Sequence, residues 1–409
     1  MNELLRTHAD QIVRGAIEAV LPDAVVRRAL QSRSFSGNVV LVAAGKAAWQ
    51  MAREAWACLG EKITRGVVIT KYGHVKGPIG NLECLEAGHP VPDGNSFAAT
   101  RQALELVTGL TEQDTVLFLL SGGGSALFED PLIPGDQLQD ITAQLLASGA
   151  DITKINTVRK RLSRVKGGRF AQLCAPANVF SIVLSDIIGD PLDMIASGPA
   201  YPDSSTCQQA LQIAADYQLQ LSDKAMECLQ QETPKSLANV VTCVGGSVRQ
   251  LCAAAARQCE NLGYTPIILT DRLDCQAKEA GAFLASICQT HASPEKPLAF
   301  IAGGETVVKL TGHGLGGRNQ ELALAAAPGI TGLNACVFSV GSDGTDGPTD
   351  AAGGYVDGDT AKALRSQGVD VFRVLQENDA YHTLETVGGL IITGPTGTNV
   401  NDVSVALCR

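Results

Sequence analysis

The chain contains no Cys-x-x-Cys pair, and its six histidines show no paired metal-ligand spacing, so neither a zinc ribbon nor a catalytic zinc site is indicated. The 12 cysteines instead fall largely in apolar runs, among them Cys174, Cys243, Cys252, Cys288 and Cys336. They suit small core side chains in a reducing, cytoplasmic compartment. Charge is sparse as well, 18% against 45% hydrophobic residues, which leaves ample core and little room for disordered tails. The net charge of -10 argues against a nucleic-acid surface and supplies no polybasic membrane anchor. A signal peptide or membrane span is not expected at the start either. Leu4, Leu5, Ile12, Val13, Ile17 and Val20 recur at helical spacing with Arg6, Asp10, Arg14 and Glu18 between them, the pattern of an amphipathic helix. No internal repeat or low-complexity tract is found.

Glycine is plentiful, 43 residues in all, placed mostly at the ends of apolar runs as strand-to-helix turns require. Val39 to Ala44 is a continuous apolar run of the kind shown by parallel strands buried on both faces, and a helix is expected over Ala47 to Leu59. Lys46 therefore stands at the carboxyl end of a central strand, where open α/β sheets bind ligands. It is not a Walker lysine, because the earlier glycine and the following Ser or Thr are missing. Val67 to Thr70 and Thr115 to Leu120 repeat the logic. The second of these runs into Ser121, Gly122, Gly123, Gly124 and Ser125, whose backbone amides form either an anion nest or a tight turn. Between them lies a polar, proline-rich loop, Glu86 to Asp93, containing His89.

From Ile152 the spacing turns helical and basic, with Lys154, Arg159, Lys160, Arg161, Arg164, Lys166 and Arg169 in one segment. Some of these serve a solvated face; Lys154, Asn156 and Arg159 are expected to meet a carboxylate or phosphate. Asp186 and Asp190 follow the strand Val179 to Leu184 and are candidates for metal binding or hydroxyl activation, with turn formation as the plainer role. The boundary between two α/β domains is expected between Gln231 and Asn239, giving domains 1–235 and 236–409, with Val240 to Val244 opening the second. A mixed sheet is expected there, because Val307 to Leu310 returns as a strand after too short a connection for a crossover.

Gly312 to Gly317 is a glycine-rich turn opening the helix that begins at Arg318, and after the strand Ala335 to Val340 comes a loop carrying Asp343, Asp346 and Asp350. Glycine admits close backbone approach and helix N-termini attract anions, so turn and acidic loop together suit a phosphate ester with its magnesium. Gly312, Gly314 and Gly317 also satisfy the dinucleotide pattern Gly-x-Gly-x-x-Gly. Against a nicotinamide reductase, Asp343 comes late and has two acidic neighbours.

Several motifs in fixed order resemble the class II glycerate kinases with a C-terminal MOFRL domain. They are Lys46 within Ala-Ala-Gly-Lys-Ala-Ala, Ser121 to Ser125, Val158-Arg-Lys160, Lys166-Gly-Gly-Arg169, Ser185-Asp186 with Gly189-Asp190, Gly317 to Glu321, Asp343 to Asp350, and Gly394 to Asp402. The resemblance implies an α/β protein: a Rossmann-like, three-layer N-terminal domain with a parallel sheet, a smaller MOFRL domain with a mixed sheet, and an active site in a cleft between them. It implies phosphorylation of D-glycerate by ATP with Mg²⁺, usually at the 2-hydroxyl, with Lys46 and Arg318 acting most directly. Asp186 or Asp190 would orient the hydroxyl, and Arg159 with the Ser121 to Ser125 amides would hold the carboxylate. Glu305, Gly317, Asn319, Glu321 and Asn399 are expected among the substrate and nucleotide contacts, and Asp343, Asp346 or Asp350 near the metal. Some members of the family carry the name hydroxypyruvate reductase, which keeps an NAD(P)H-dependent reaction as the alternative; assembly as a homodimer is left open.

Overall fold

Six strands of the first 246 residues make one sheet: β1 (Val39–Ala44), β2 (Ile63–Lys71), β3 (Glu83–Ala87), β4 (Thr115–Leu120), β5 (Asn178–Leu184) and β6 (Val240–Gly246), in the order β3-β2-β1-β4-β5-β6. The pairs β2/β3, β1/β2, β1/β4 and β4/β5 run parallel. Every residue of β1 is buried, as the unbroken apolar run requires of a strand covered on both faces. One cover is aliphatic: Leu41, Ala43, Leu117 and Leu119 pack with Met51, Ala52 and Ala55 of the helix Ala48–Leu59. The other is aromatic, with the ring centroids of Phe118 and Phe170 4.8 Å apart and Phe128 edge-on to Phe170. Helix, sheet and helix make the expected three layers.

The second sheet holds β7 (Thr265–Leu273), β8 (Leu298–Gly304), β9 (Ala335–Gly341), β10 (Gly353–Asp357), β11 (Leu390–Ile391) and β12 (Asp402–Cys408), ordered β11-β10-β9-β12-β8-β7. Only β7/β8 are parallel among its pairs; β12 inserts antiparallel between β8 and β9. The sheet is mixed as expected, for a different reason. Val307 to Leu310 forms no strand, only an isolated bridge from Val307 to Gln276, and the last strand of the chain supplies the antiparallel pairing. Glu83–Ala87, part of which was expected to be loop, pairs with β2.

This structure, a computed structural model, describes residues 1–31 and 33–409. They form two compact units: Val25–Ser185 with Asp190–Gly245, here the first unit, and Met1–Ala24 with Asp186–Gly189 and Gly246–Arg409, the second. The cut therefore differs from 1–235 and 236–409 at both ends. Val240 to Val244 completes the first sheet rather than opening the second. The initial helix, Glu3–Ala19, buries Leu5, Ile12, Val13 and Ile17 against Phe338, Val405 and Leu407, because an amphipathic stripe settles on whatever apolar face is uncovered. Its start is fastened by the Asn2 N–H to Asp357 Oδ2 at 2.6 Å, and by Arg6 donating to the carbonyls of Gly388 and Leu390. Among the described residues no helix is long and apolar enough to cross a membrane.

Candidate active site

The order of the first sheet makes the carboxyl ends of β1 and β4 a topological switch point, the place where ligands enter such sheets. Lys46 follows β1 there and Ser121 to Ser125 follow β4. The two turns are stitched together: the Lys46 N–H donates to the Gly122 carbonyl at 2.8 Å and the Ala47 N–H to Ser121 Oγ at 3.1 Å. Gly123 sits at φ +86°, and a Cβ on it would lie 2.9 Å from the His89 ring and 3.2 Å from Lys46 Cγ. Only glycine fits, so the ring of His89 and the stem of Lys46 flank the turn. The N–H groups of Gly122 and Gly123 donate to no backbone carbonyl among the described residues, which favours the anion nest over the plain turn.

The same turn is braced from its far end. The Ser125 carbonyl accepts from Lys166 Nζ at 2.8 Å and Arg159 Nη2 at 3.2 Å; Ser125 Oγ lies 3.2 Å from Ser197 Oγ, which donates to Asn156 Oδ1 at 2.8 Å. Glu129 is fully buried, 3.3 Å from Lys166 Nζ and 3.9 Å from Arg159 Nη2. Burial pushes the Lys166 ammonium down to about 8, with the Glu129 charge opposing the shift. Arg159 Nε is buried without an acceptor, so this guanidinium keeps a donor for a group the protein does not supply. The segment leading to Ser197 is strained: Asp190, Ala196 and Ser197 have φ of +51°, +51° and +60°, and Asp190 Oδ1 is buried without a partner. Asn156 and Arg159 are thus both tied to Ser125, Asn156 through Ser197. Lys154 is not among them, because Tyr217 takes its ammonium at 3.1 Å and Asp151 at 3.2 Å.

On the second unit the centre is Arg318. Its Nε donates to Asp402 Oδ2 at 2.6 Å, Nη2 to Asp402 Oδ1 at 3.1 Å and Nη1 to Glu305 Oε1 at 3.0 Å, so the guanidinium is oriented by a two-point carboxylate clamp and a third bond. Asp402 opens β12 opposite Gly304, the last residue of β8, which places Arg318 over that strand end. Burial pushes the Asp402 carboxyl up while Arg318 pulls it back. Asp402 was not singled out from the sequence; its partner lies 84 residues away, and only the sheet brings them together.

The three acids of the loop are not gathered. Among the described residues no group of three His, Cys, Asp or Glu side chains could hold a metal ion. Asp346 instead points under the helix Arg318–Ala326, accepting from the N–H groups of Asn319 at 3.1 Å and Gln320 at 2.9 Å. The anion at this helix N-terminus is the protein's own carboxylate. Asp350 accepts from Tyr381 Oη at 2.7 Å, and Asp343 from the Thr345 N–H at 3.0 Å. Asp343 is half-buried, and its Oδ1 and that of Asp402 lie 3.3 and 3.4 Å from where a Cβ on Gly341 would stand. Both oxygens already accept hydrogen bonds, from the Thr345 N–H and from Arg318 Nη2, and a closed three-acid cage does not form.

The glycine turn also differs from expectation. Cβ atoms on Gly312 and Gly314 would fall 2.4 Å from atoms of Glu377 and Asp379, and the N–H groups of Gly312, Gly314 and Leu315 are bonded to Asn378, Glu377 and Asp379. These glycines let the chain pack on other backbone, and the amides of Gly312, Gly314 and Leu315 are spent on protein acceptors, which counts against the dinucleotide alternative although the turn lines one side of a pocket. Asn319 is buried between Asp346 and Ser339, and Glu321 accepts from Asn378 Nδ2 at 3.1 Å, so both shape the site from beneath. Asn399 is exposed, its Oδ1 accepting from the Asn401 N–H.

Two consequences are measurable. A Cβ on Gly317 would lie 2.2 Å from Asp346 Cγ, so Gly317→Ala is expected to displace the cap of the helix that carries Arg318, lowering both melting temperature and kcat; a variant as stable and active as wild type would contradict this packing. Burial pushes the Asp346 carboxyl up to about 6 against the two N–H bonds that favour its charge. The folded state then holds the proton to higher pH than the unfolded chain, so this group favours folding below the ordinary carboxylate range and loses that advantage as pH rises through 6. Relative to Asp346→Asn, wild-type stability is expected to fall by up to about 3 kcal/mol between pH 4 and 7, read by chemical denaturation at both values.

A family model described as a domain of unknown function, DUF4147, matches residues 8–230, and the MOFRL family model matches 298–402. A Thermotoga maritima protein named D-glycerate 2-kinase is 52% identical over 99% of both chains. The crystal structure of a glycerate kinase from the same organism superposes with a TM-score of 0.94 over the full length of both. An Agrobacterium vitis protein named putative hydroxypyruvate reductase is 38% identical over 98% of this chain and 94% of its own.

Proposed function

The chain belongs to the glycerate kinase family with a C-terminal MOFRL domain, and we propose that it transfers the γ-phosphoryl group of ATP to the 2-hydroxyl of D-glycerate, with Mg²⁺, in the cytoplasm. The observation that carries this reading is Arg318. Its guanidinium, fixed by the Asp402 clamp and by Glu305, is a preset cation of the kind phosphoryl transfer requires to answer charge on the moving group. Lys46 is proposed as the second cation on the transferring group. The nest amides of Gly122 and Gly123 and the spare Arg159 donor would hold the glycerate carboxylate. Asp190, strained and with one buried unpartnered oxygen, would accept the proton of the attacking hydroxyl. Asp343 would hold the magnesium, in part through water; when bound, that ion neutralises charge on the donor phosphates.

The test is ADP formation by the purified protein with ATP, Mg²⁺ and D-glycerate, run beside NADH and NADPH oxidation with hydroxypyruvate. Glycerate-dependent ADP without nicotinamide turnover, and a product identified as the 2-phosphate by nuclear magnetic resonance, are the expected results. Nicotinamide turnover alone would overturn the reading.

A further inference from the structure

Beside Arg318, and wholly within the second unit, lies a pocket of about 770 Å³. Its lining combines Arg318 and Glu305, joined by their ion pair, with the apolar Val307, Leu310, Ile188 and Pro348 and with glycines of the Gly312 to Gly317 turn. Val307 is 54% and Leu310 79% exposed. That segment is outside any sheet but firmly held. The Val307 N–H and carbonyl bond to Cys275 and Ala277, and Asn378, at φ +55°, donates to the Lys309 carbonyl while accepting from the N–H groups of Thr311 and Gly312. The wall is therefore preformed, and its apolar side chains face outward with no core to fill.

Glycerate is too small and too polar for this space. A ligand with phosphates at one end and a flat apolar body at the other would satisfy both kinds of lining at once. We infer that the pocket seats the base and ribose of the phosphoryl donor, with the base against Val307 and Leu310 and the phosphates leading to Arg318. This inference rests on the reading of the protein as a nucleotide-dependent kinase. It adds where, and by what contacts, a nucleoside triphosphate is told from other polyphosphates: by burial of its base, since the amides of Gly312, Gly314 and Leu315 in the adjoining glycine turn are already spent on protein acceptors.

Binding of ADP and of inorganic pyrophosphate to the full chain, each with Mg²⁺, is to be measured by calorimetry for wild type, Val307→Asp and Leu310→Asp. Both side chains are more than half exposed, so the variants are expected to fold, as their circular dichroism and melting temperature will report. ADP is expected to bind about tenfold more weakly or worse in each variant, and pyrophosphate within about twofold of wild type. Unchanged ADP affinity, or equal weakening of ADP and pyrophosphate, would overturn the base site. Calorimetry needs no turnover. A protein that binds ADP through this wall yet makes no phosphoglycerate would refute the kinase reading and leave the base site standing; glycerate phosphorylation with unaffected ADP binding would do the reverse.

Discussion

Lys46→Ala is expected to lower kcat by about 10²- to 10⁴-fold while shifting the melting temperature little. Lys46 is half-buried at the switch point, its backbone N–H is held by Gly122, and among the described residues its ammonium enters no ion pair. Removing it therefore costs the fold little. A charge needed only as the phosphoryl group moves should appear in kcat more than in the KM for glycerate, and an intact kcat would take Lys46 out of the mechanism. Arg318 needs a different control. Arg318→Ala would leave Asp402, 5% exposed, without the guanidinium that holds both its oxygens, and breaking such a pair costs on the order of 3–5 kcal/mol. Arg318→Lys keeps the charge but has no planar fork with which to serve Asp402 and Glu305 together. It is expected to fold and still lose at least about 10² in kcat.

The ends of β1 and β4 were legible because a strand buried on both faces is an unbroken apolar run, and whatever polar residue follows it is set at the sheet's rim. Lys46 and Ser121 to Ser125 needed no more than that. The acidic loop was not legible to the same depth. Asp343, Asp346 and Asp350 look alike in sequence, yet one caps a helix, one meets a tyrosine and one keeps company with Asp402, a residue far along the chain. The basic segment divided in the same way. Lys160 and Arg161 are buried on Asp203, Arg164 pairs with Asp130, and Arg169 caps the carbonyls of Lys160, Arg161 and Ser163. Only Arg159 and Lys166 reach Ser125. Their counterpart Glu129 was not anticipated, because a single glutamate after an apolar run carries no periodic signal; only its burial reveals it.

The Glu129–Lys166 pair should give a large stability effect in the first unit. Both side chains are fully buried, and among the described residues the carboxylate oxygens accept no well-formed hydrogen bond beyond the charge contacts with Lys166 and Arg159. Such a pair adds little net stability when intact, because two desolvated charges offset most of their attraction; cutting Lys166 leaves the buried Glu129 carboxylate with only the longer contact to Arg159, at 3.9 Å, to answer it. Lys166→Met is therefore expected to cost about 3–5 kcal/mol in chemical denaturation, and the double variant Glu129→Leu with Lys166→Met to recover most of that. Recovery of stability need not restore activity. Lys166 also holds the carbonyls of Ser125 and Phe128, at 2.8 and 3.0 Å, and so fixes the far end of the nest. If that is its role, the double variant folds well but binds glycerate poorly, with KM raised more than kcat is lowered. A stable double variant with wild-type KM would show that the pair serves the core alone and that the nest keeps its shape without it.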